Sequence, residues 1–168
     1  MDDQDVDRYS RAPEPGDVVR ICLALNEAGA RYLLIGGFAV VAHGAGRFTK
    51  DIDLLIDDSP ENVARVKRAL AVLEDNAARE VDDEDVRTHT VVRVADEVVV
   101  DLMGRACGVS YSEAAQDAET IERDGVTIAL ASPATLIKLK KTTRPQDALD
   151  RSFLEGVLAE RESRNSGQ

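Results

Sequence analysis

The stretch Leu33 to Asp57 constrains the chain more than any other, because one short run dictates strand, bend, helix, loop and strand. Leu33 to Ile35 is an apolar strand closed by Gly36-Gly37, after which Phe38 to His43 turn as a short helix and Gly44 to Lys50 form a loop. Asp51 to Ile56 then alternates with period two. Ile52, Leu54 and Ile56 point to one face, while Asp51 and Asp53 point together to the other, about 7 Å apart by strand rise. Two like charges in a partly buried site repel and raise one pKa, so the pattern asks for a cation between them. Oxygen-only ligands favour a hard ion, Mg²⁺ or Mn²⁺, which keeps positions open for water and phosphate. Gly36-Gly37 suits the same chemistry, since a backbone without Cβ atoms lets a phosphate approach the amides at a helix start.

Gly36-Gly37 followed by Arg47-Phe48-Thr49-Lys50-Asp51-Ile52-Asp53 resembles the Gly-Gly plus Asp-x-Asp pattern of the nucleotidyltransferase superfamily, the fold of DNA polymerase beta. The Arg-x-Thr-x-Asp-x-Asp form is most similar to the branch holding AbiEii-type toxins and aminoglycoside and lincosamide nucleotidyltransferases. The resemblance implies an α/β (α+β) fold, a mixed twisted sheet flanked by helices in one domain. It also implies a third metal-binding carboxylate on a neighbouring strand, which Asp101 matches by type and position. Members of the AbiEii kind carry a lysine on a Leu-x-x-Leu-Lys-type helix and then Arg-x-x-Asp-x-x-Asp. Here the matching residues are Lys140, Arg144, Asp147 and Asp150, with Lys138 or Lys141 as alternatives for the lysine because the gap to the arginine is short. The implied activity is metal-dependent transfer of a nucleotidyl group from a nucleoside triphosphate to a hydroxyl, with Asp51, Asp53 and Asp101 as metal-holding and catalytic groups. Gly36, Gly37, Arg47, Thr49, Lys50, Lys140, Arg144 and Asp147 would then form the nucleotide site.

The rest of the chain reads as scaffold. Met1 to Glu14 is acidic and almost free of apolar residues, which predicts a tail, and the domain is expected over residues 15–161, with 162–168 frayed. A helix from Pro15 buries Val18, Ile21, Cys22 and Leu25, and Gly29 stops it. Ser59 to Leu73 forms another, capped by Ser59, and Glu74 to Asp85 is expected as loop. Thr88 to Val94 and Glu97 to Met103 pair through Ala95-Asp96, and Tyr111 to Ala118 reads as a short helix. Glu119 to Arg123 and Val126 to Leu130 make a hairpin with a type I′ turn at Asp124-Gly125. Ser132-Pro133 opens a helix to about Thr142, and Asp147 to Arg161 forms the last, burying Leu149, Phe153, Leu154, Val157 and Leu158. His43, on a short helix far from any carboxylate in sequence, is expected to be structural.

Charge divides the acceptors. A net charge of −11 repels nucleic acid unless a local basic track offsets it, and Arg47, Lys50, Lys138, Lys140, Lys141 and Arg144 are the residues able to form one. A toxin modifying tRNA would use that track, whereas an antibiotic-modifying enzyme would draw a cationic aminoglycoside to the acidic surface. A third reading is a non-catalytic nucleotide-binding or regulatory module of the same fold. An antitoxin or a second copy of the chain is the expected protein partner, since 168 residues leave no separate acceptor domain. Cys22 and Cys107 are too far apart in sequence to suggest a disulfide framework or zinc site, and Met1 to Gly16 lacks an apolar core, so a cytoplasmic protein without a membrane segment is expected.

Overall fold

The computed structural model describes residues 10–167, so the expectation for residues 1–9 lies outside the described residues. The helices are α1 (Pro15–Glu27), α2 (Gly36–Ala42), α3 (Pro60–Leu70), α4 (Asp85–Thr88), α5 (Tyr111–Ala115), α6 (Pro133–Leu139) and α7 (Pro145–Ser166). The strands are β1 (Tyr32–Ile35), β2 (Asp51–Ile56), β3 (Val92–Ala95), β4 (Val99–Met103), β5 (Arg105–Ala106), β6 (Val109–Ser110), β7 (Glu119–Arg123) and β8 (Val126–Leu130). Six strands form one mixed sheet in the order β3-β4-β2-β1-β8-β7, and β5 and β6 pair separately. Strands β2 and β4 run parallel, as do β1 and β8, while the remaining pairs of the large sheet are antiparallel. The mixed α/β architecture expected from the resemblance is the one observed.

The sequence pattern explains where the core lies. Strand β2 is central, so Ile52, Leu54, Leu55 and Ile56 are all fully buried, and only Asp51 and Asp53 break the apolar run. Helix α1 covers the sheet with Val18, Ile21, Cys22 and Leu25 and packs on α3 and β8. Helix α2 packs on β1, β2 and α6. Ser59 caps α3 by accepting from the Asn62 amide, with Pro60 in the first turn, as its sequence predicts. Asn62, buried beneath that cap, ties Arg31 and Asp57 together through both ends of its amide. The Asp124-Gly125 turn has φ of +52° and +79°, the geometry of a type I′ hairpin.

Several boundaries differ from expectation. Residues from Ser10 are attached rather than tail-like: Ser10 donates to the Asp96 carbonyl, and Arg11 grips both carboxylate oxygens of Asp17 while reaching Glu97. The segment expected as loop before β3 holds a short 3₁₀ turn (Ala77–Glu80) and α4, and Thr88 ends that helix instead of opening a strand. Asp82 and Asp85 accept local amide bonds and the Thr88 hydroxyl bonds back to Glu84, so polar side chains wind this stretch. The β3–β4 connection is Asp96 to Val98, with buried Asp96 accepting from the amides of Asp75, Ala77 and Glu97. Helix α6 ends at Leu139, short of Thr142, and α7 begins at Pro145 and runs to Ser166, beyond Arg161. Leu149 is exposed, not buried, because Asp147, Asp150 and Leu154 form the inward face of α7.

Candidate active site

The two central parallel strands bring the acids together. Asp53 stands opposite Asp101 in the β2–β4 register, and Asp51, two residues earlier, shares the face. One carboxylate oxygen from each of Asp51, Asp53 and Asp101 lies within 4.8 Å of the others, the arrangement expected from the sequence. Burial is the main force on Asp53, and the neighbouring charges of Asp101 and Asp51 add to it. Together they push its carboxyl up to about 7, with Lys140 and Arg144 pulling the other way.

The diglycine bend has a specific steric cause. Gly36 has φ of +71°, and a Cβ there would lie 2.0 Å from Asp53 Oδ2. A Cβ on Gly37 would meet Thr49 Oγ1 at 2.6 Å and Arg47 Nη2 at 3.1 Å. Both glycines therefore make room for the loop and strand that carry the acids, whatever further approach they grant a phosphate. Thr49 donates to the Asp51 carbonyl and so shapes the entry to β2.

A second cluster faces the acids across the cleft. Lys140, at the C-cap of α6, is 6% exposed and places its ammonium 2.9 Å from Asp150 and 3.5 Å from Asp147. Arg47 reaches Asp150 at 2.5 Å, Arg144 makes two bonds to Asp147, and Gln146 donates to Asp150. Burial raises the Asp150 carboxyl, but the bonds from Lys140, Gln146 and Arg47 outweigh it and the net shift is downward. The chain turns between α6 and α7, so Leu136, Lys140, Arg144 and Asp147 do not continue along one helical stripe. Lys140 pairs with Asp147 and Asp150 across the bend, while Arg144 pairs with Asp147 within the first turn of α7. Lys138 and Lys141 are exposed, which distinguishes Lys140 as the lysine in the cluster. Gly37, Arg47, Phe48, Thr49, Lys50, Asp51, Asp53, Lys140, Arg144, Gln146 and Asp147 line one cleft of about 390 Å³. The sequence-predicted residues thus meet in one place, apart from Gly36 and Asp101, which adjoin it through Asp53. His43 bonds the Ala131 carbonyl, a structural role as expected.

Phe48 and Gln146, which also line the cleft, are not among the expected site residues, and neither is Arg93. Arg93 on β3 donates to both oxygens of Asp101, at 3.0 and 3.1 Å, and its guanidinium also lies 3.4 Å from Asp51. The signal was present in the hairpin: with three residues connecting β3 and β4, Arg93 falls directly opposite Asp101.

The sheet order, the parallel acid-bearing strands and the diglycine bend define the nucleotidyltransferase fold. A crystal structure of a candidate nucleotidyltransferase (TM1012) from Thermotoga maritima matches it with a TM-score of 0.52 over 93% of this chain and 98% of that one, at 14% identity. The family model for the nucleotidyl transferase AbiEii toxin of type IV toxin–antitoxin systems matches residues 18–140, and the chain belongs to that family. Comparison with curated proteins finds no match. Among the described residues, no helix is long and apolar enough to cross a membrane.

Proposed function

We propose that the chain transfers a nucleotidyl group from a nucleoside triphosphate to a hydroxyl acceptor, as the toxin of a toxin–antitoxin pair acting in the cytoplasm. The observation that carries this reading is the convergence of Asp51, Asp53 and Asp101 beside a cation cluster in one cleft. The donor set fits a hard divalent ion: all three ligands are carboxylate oxygens, and the Asp53 carboxyl is raised first by burial and then by the charges of Asp101 and Asp51, a repulsion that a cation relieves. When bound, Mg²⁺ or Mn²⁺ supplies positive charge to the triphosphate and acidifies the acceptor hydroxyl.

The chain's own residues do the rest. The acceptor hydroxyl oxygen attacks the α-phosphorus and gives up its proton to solvent in the open cleft, the bond from the α-phosphorus to the oxygen bridging it to the β-phosphate breaks, and pyrophosphate leaves, so negative charge grows on the departing group. Lys140 and Arg144 border the cleft where that charge develops, and Asp147 and Asp150 fix their orientation in advance. Arg47, steadied by Asp150, and Lys50 stand at the phosphate side of β2, with Gly37 and Thr49 closing the wall behind them. Asp101 has both oxygens engaged by Arg93, which suits it to holding charge better than to accepting the hydroxyl proton.

The test is incubation with each α-³²P-labelled nucleoside triphosphate, Mg²⁺ and, in separate reactions, total RNA, protein extract or aminoglycoside. Label on RNA or protein that disappears in Asp51→Ala/Asp53→Ala supports the toxin reading. Label on the antibiotic reassigns the acceptor. Metal-dependent nucleotide binding by calorimetry without transfer to any acceptor would identify a non-catalytic binding module instead.

A further inference from the structure

The loop entering β2 alternates as a strand would: Arg47, Thr49 and Asp51 are partly buried, while Phe48 and Lys50 point out. Phe48 is 100% exposed, the most exposed large apolar side chain among the described residues. It nevertheless belongs to the wall of the acid-lined cleft, where its companions are charged, polar or glycine. A protein-docking face would present a contiguous apolar patch, and Phe48 has no apolar companion among the cleft residues. A single flat ring flanked by Arg47 and Lys50, beside Lys140 and Arg144, combines a stacking surface with cations for phosphate. That is how proteins hold nucleotides without reading their sequence.

We propose that Phe48 is a nucleobase platform at the mouth of the cleft, stacking a base whose phosphates lie toward Arg47, Lys140 and Arg144. The base belongs either to the incoming nucleoside triphosphate or to the end of a single-stranded RNA acceptor. The assignment rests on the nucleotidyl-transfer reading, and it narrows the ligand to one carrying a planar heterocycle.

The chain has no tryptophan, so Phe48→Trp creates a unique fluorophore at the platform. It is titrated, with Mg²⁺, with nucleoside triphosphates, inorganic triphosphate and a short single-stranded RNA. In parallel, calorimetry on the wild type and Phe48→Ala gives affinities, and unchanged melting temperatures confirm that both variants fold. Base-bearing ligands are expected to quench the tryptophan while inorganic triphosphate does not. Phe48→Ala should weaken base-bearing ligands about 5- to 150-fold and leave inorganic triphosphate unchanged. Quenching by nucleoside triphosphate alone assigns the base to the donor, and quenching by RNA alone assigns it to the acceptor. If the wild type binds nucleotides but the tryptophan stays unquenched, or if Phe48→Ala weakens inorganic triphosphate equally, the platform is refuted and the transfer reading stands. If the wild type binds no triphosphate and no RNA, both fall.

Discussion

Replacing Asp53 by asparagine should stabilise the metal-free protein, by an amount that grows as pH rises from about 4 to about 7 and then levels off. The Asp53 carboxyl rises from 3.8 to about 7 in the folded chain, chiefly through burial and then through repulsion from Asp101 and Asp51. Between those pH values the unfolded chain has released a proton that the folded chain retains, so stability falls as pH rises, until the folded carboxyl ionises near 7. At 1.36 kcal/mol per tenfold change in proton affinity, the ionised Asp53 costs about 4 kcal/mol above pH 7. Asparagine keeps the shape and removes the charge. The stability difference, variant minus wild type, should therefore grow from near zero at pH 4 to about 4 kcal/mol at pH 8, or a melting-temperature gain of about 8–16 °C for a domain of this size. Differential scanning calorimetry in EDTA, on both proteins at matched pH, cancels the other titrating groups. Millimolar Mg²⁺ should then stabilise the wild type and leave the variant nearly unmoved. A difference that stays constant from pH 4 to pH 8, or an asparagine variant less stable than wild type at pH 8 in EDTA, would refute the reasoning.

Gly36→Ala should lose at least about 1–3 kcal/mol from its positive φ alone, with further loss from the contact with Asp53. On an Asp53→Gly background, which removes the Oδ2, Cγ and Cβ atoms that the new methyl would meet, the same change should cost only the positive-φ part, which thermal melts of Asp53→Gly with and without Gly36→Ala will show. Lys140→Met leaves two buried carboxylates without their central cation and should cost about 3–5 kcal/mol in urea unfolding, whereas Lys138→Ala and Lys141→Ala, both exposed, should stay within about 0.5 kcal/mol. Arg93→Ala removes the guanidinium that engages Asp101 and Asp51, so Mn²⁺ should bind more tightly by calorimetry; unchanged or weaker binding would show that Arg93 does not compete with the cation. On α7, Leu154→Ala should cost about 2–5 kcal/mol while Leu149→Gln is nearly silent, a contrast that denaturant melts resolve.

The strand periodicity of Asp51 to Ile56 places two acids on one face of any sheet that accepts it, and the diglycine before it permits a bend no other residue pair takes as easily. Ser59-Pro60, Ser132-Pro133 and Asp124-Gly125 likewise announce a helix start, another helix start and a turn, because caps and positive-φ turns depend on a few adjacent side chains. These are short-range matters, and a linear reading resolves them. The inward face of α7 is not of this kind: apolar spacing points to Leu149, yet Asp147 and Asp150 turn inward because Lys140 and Arg47 arrive from elsewhere to pair with them, joining the local bond from Arg144 at the helix N-cap to Asp147. Which of three neighbouring lysines enters the cluster depends on where α6 ends. Whether Arg93 meets Asp101 depends on the length of one hairpin connection.

Local chemistry in the chain therefore decided that acids, glycines and cations would be offered at particular places along it. Only the assembled sheet decided which of them face one another, since register between β2 and β4, and the bend between α6 and α7, are settled by burial summed over the whole core. The proton affinity of Asp53 is the clearest case: the residue type supplies a carboxyl, and three-dimensional enclosure beside Asp101 and Asp51 turns it into a group that titrates near neutrality.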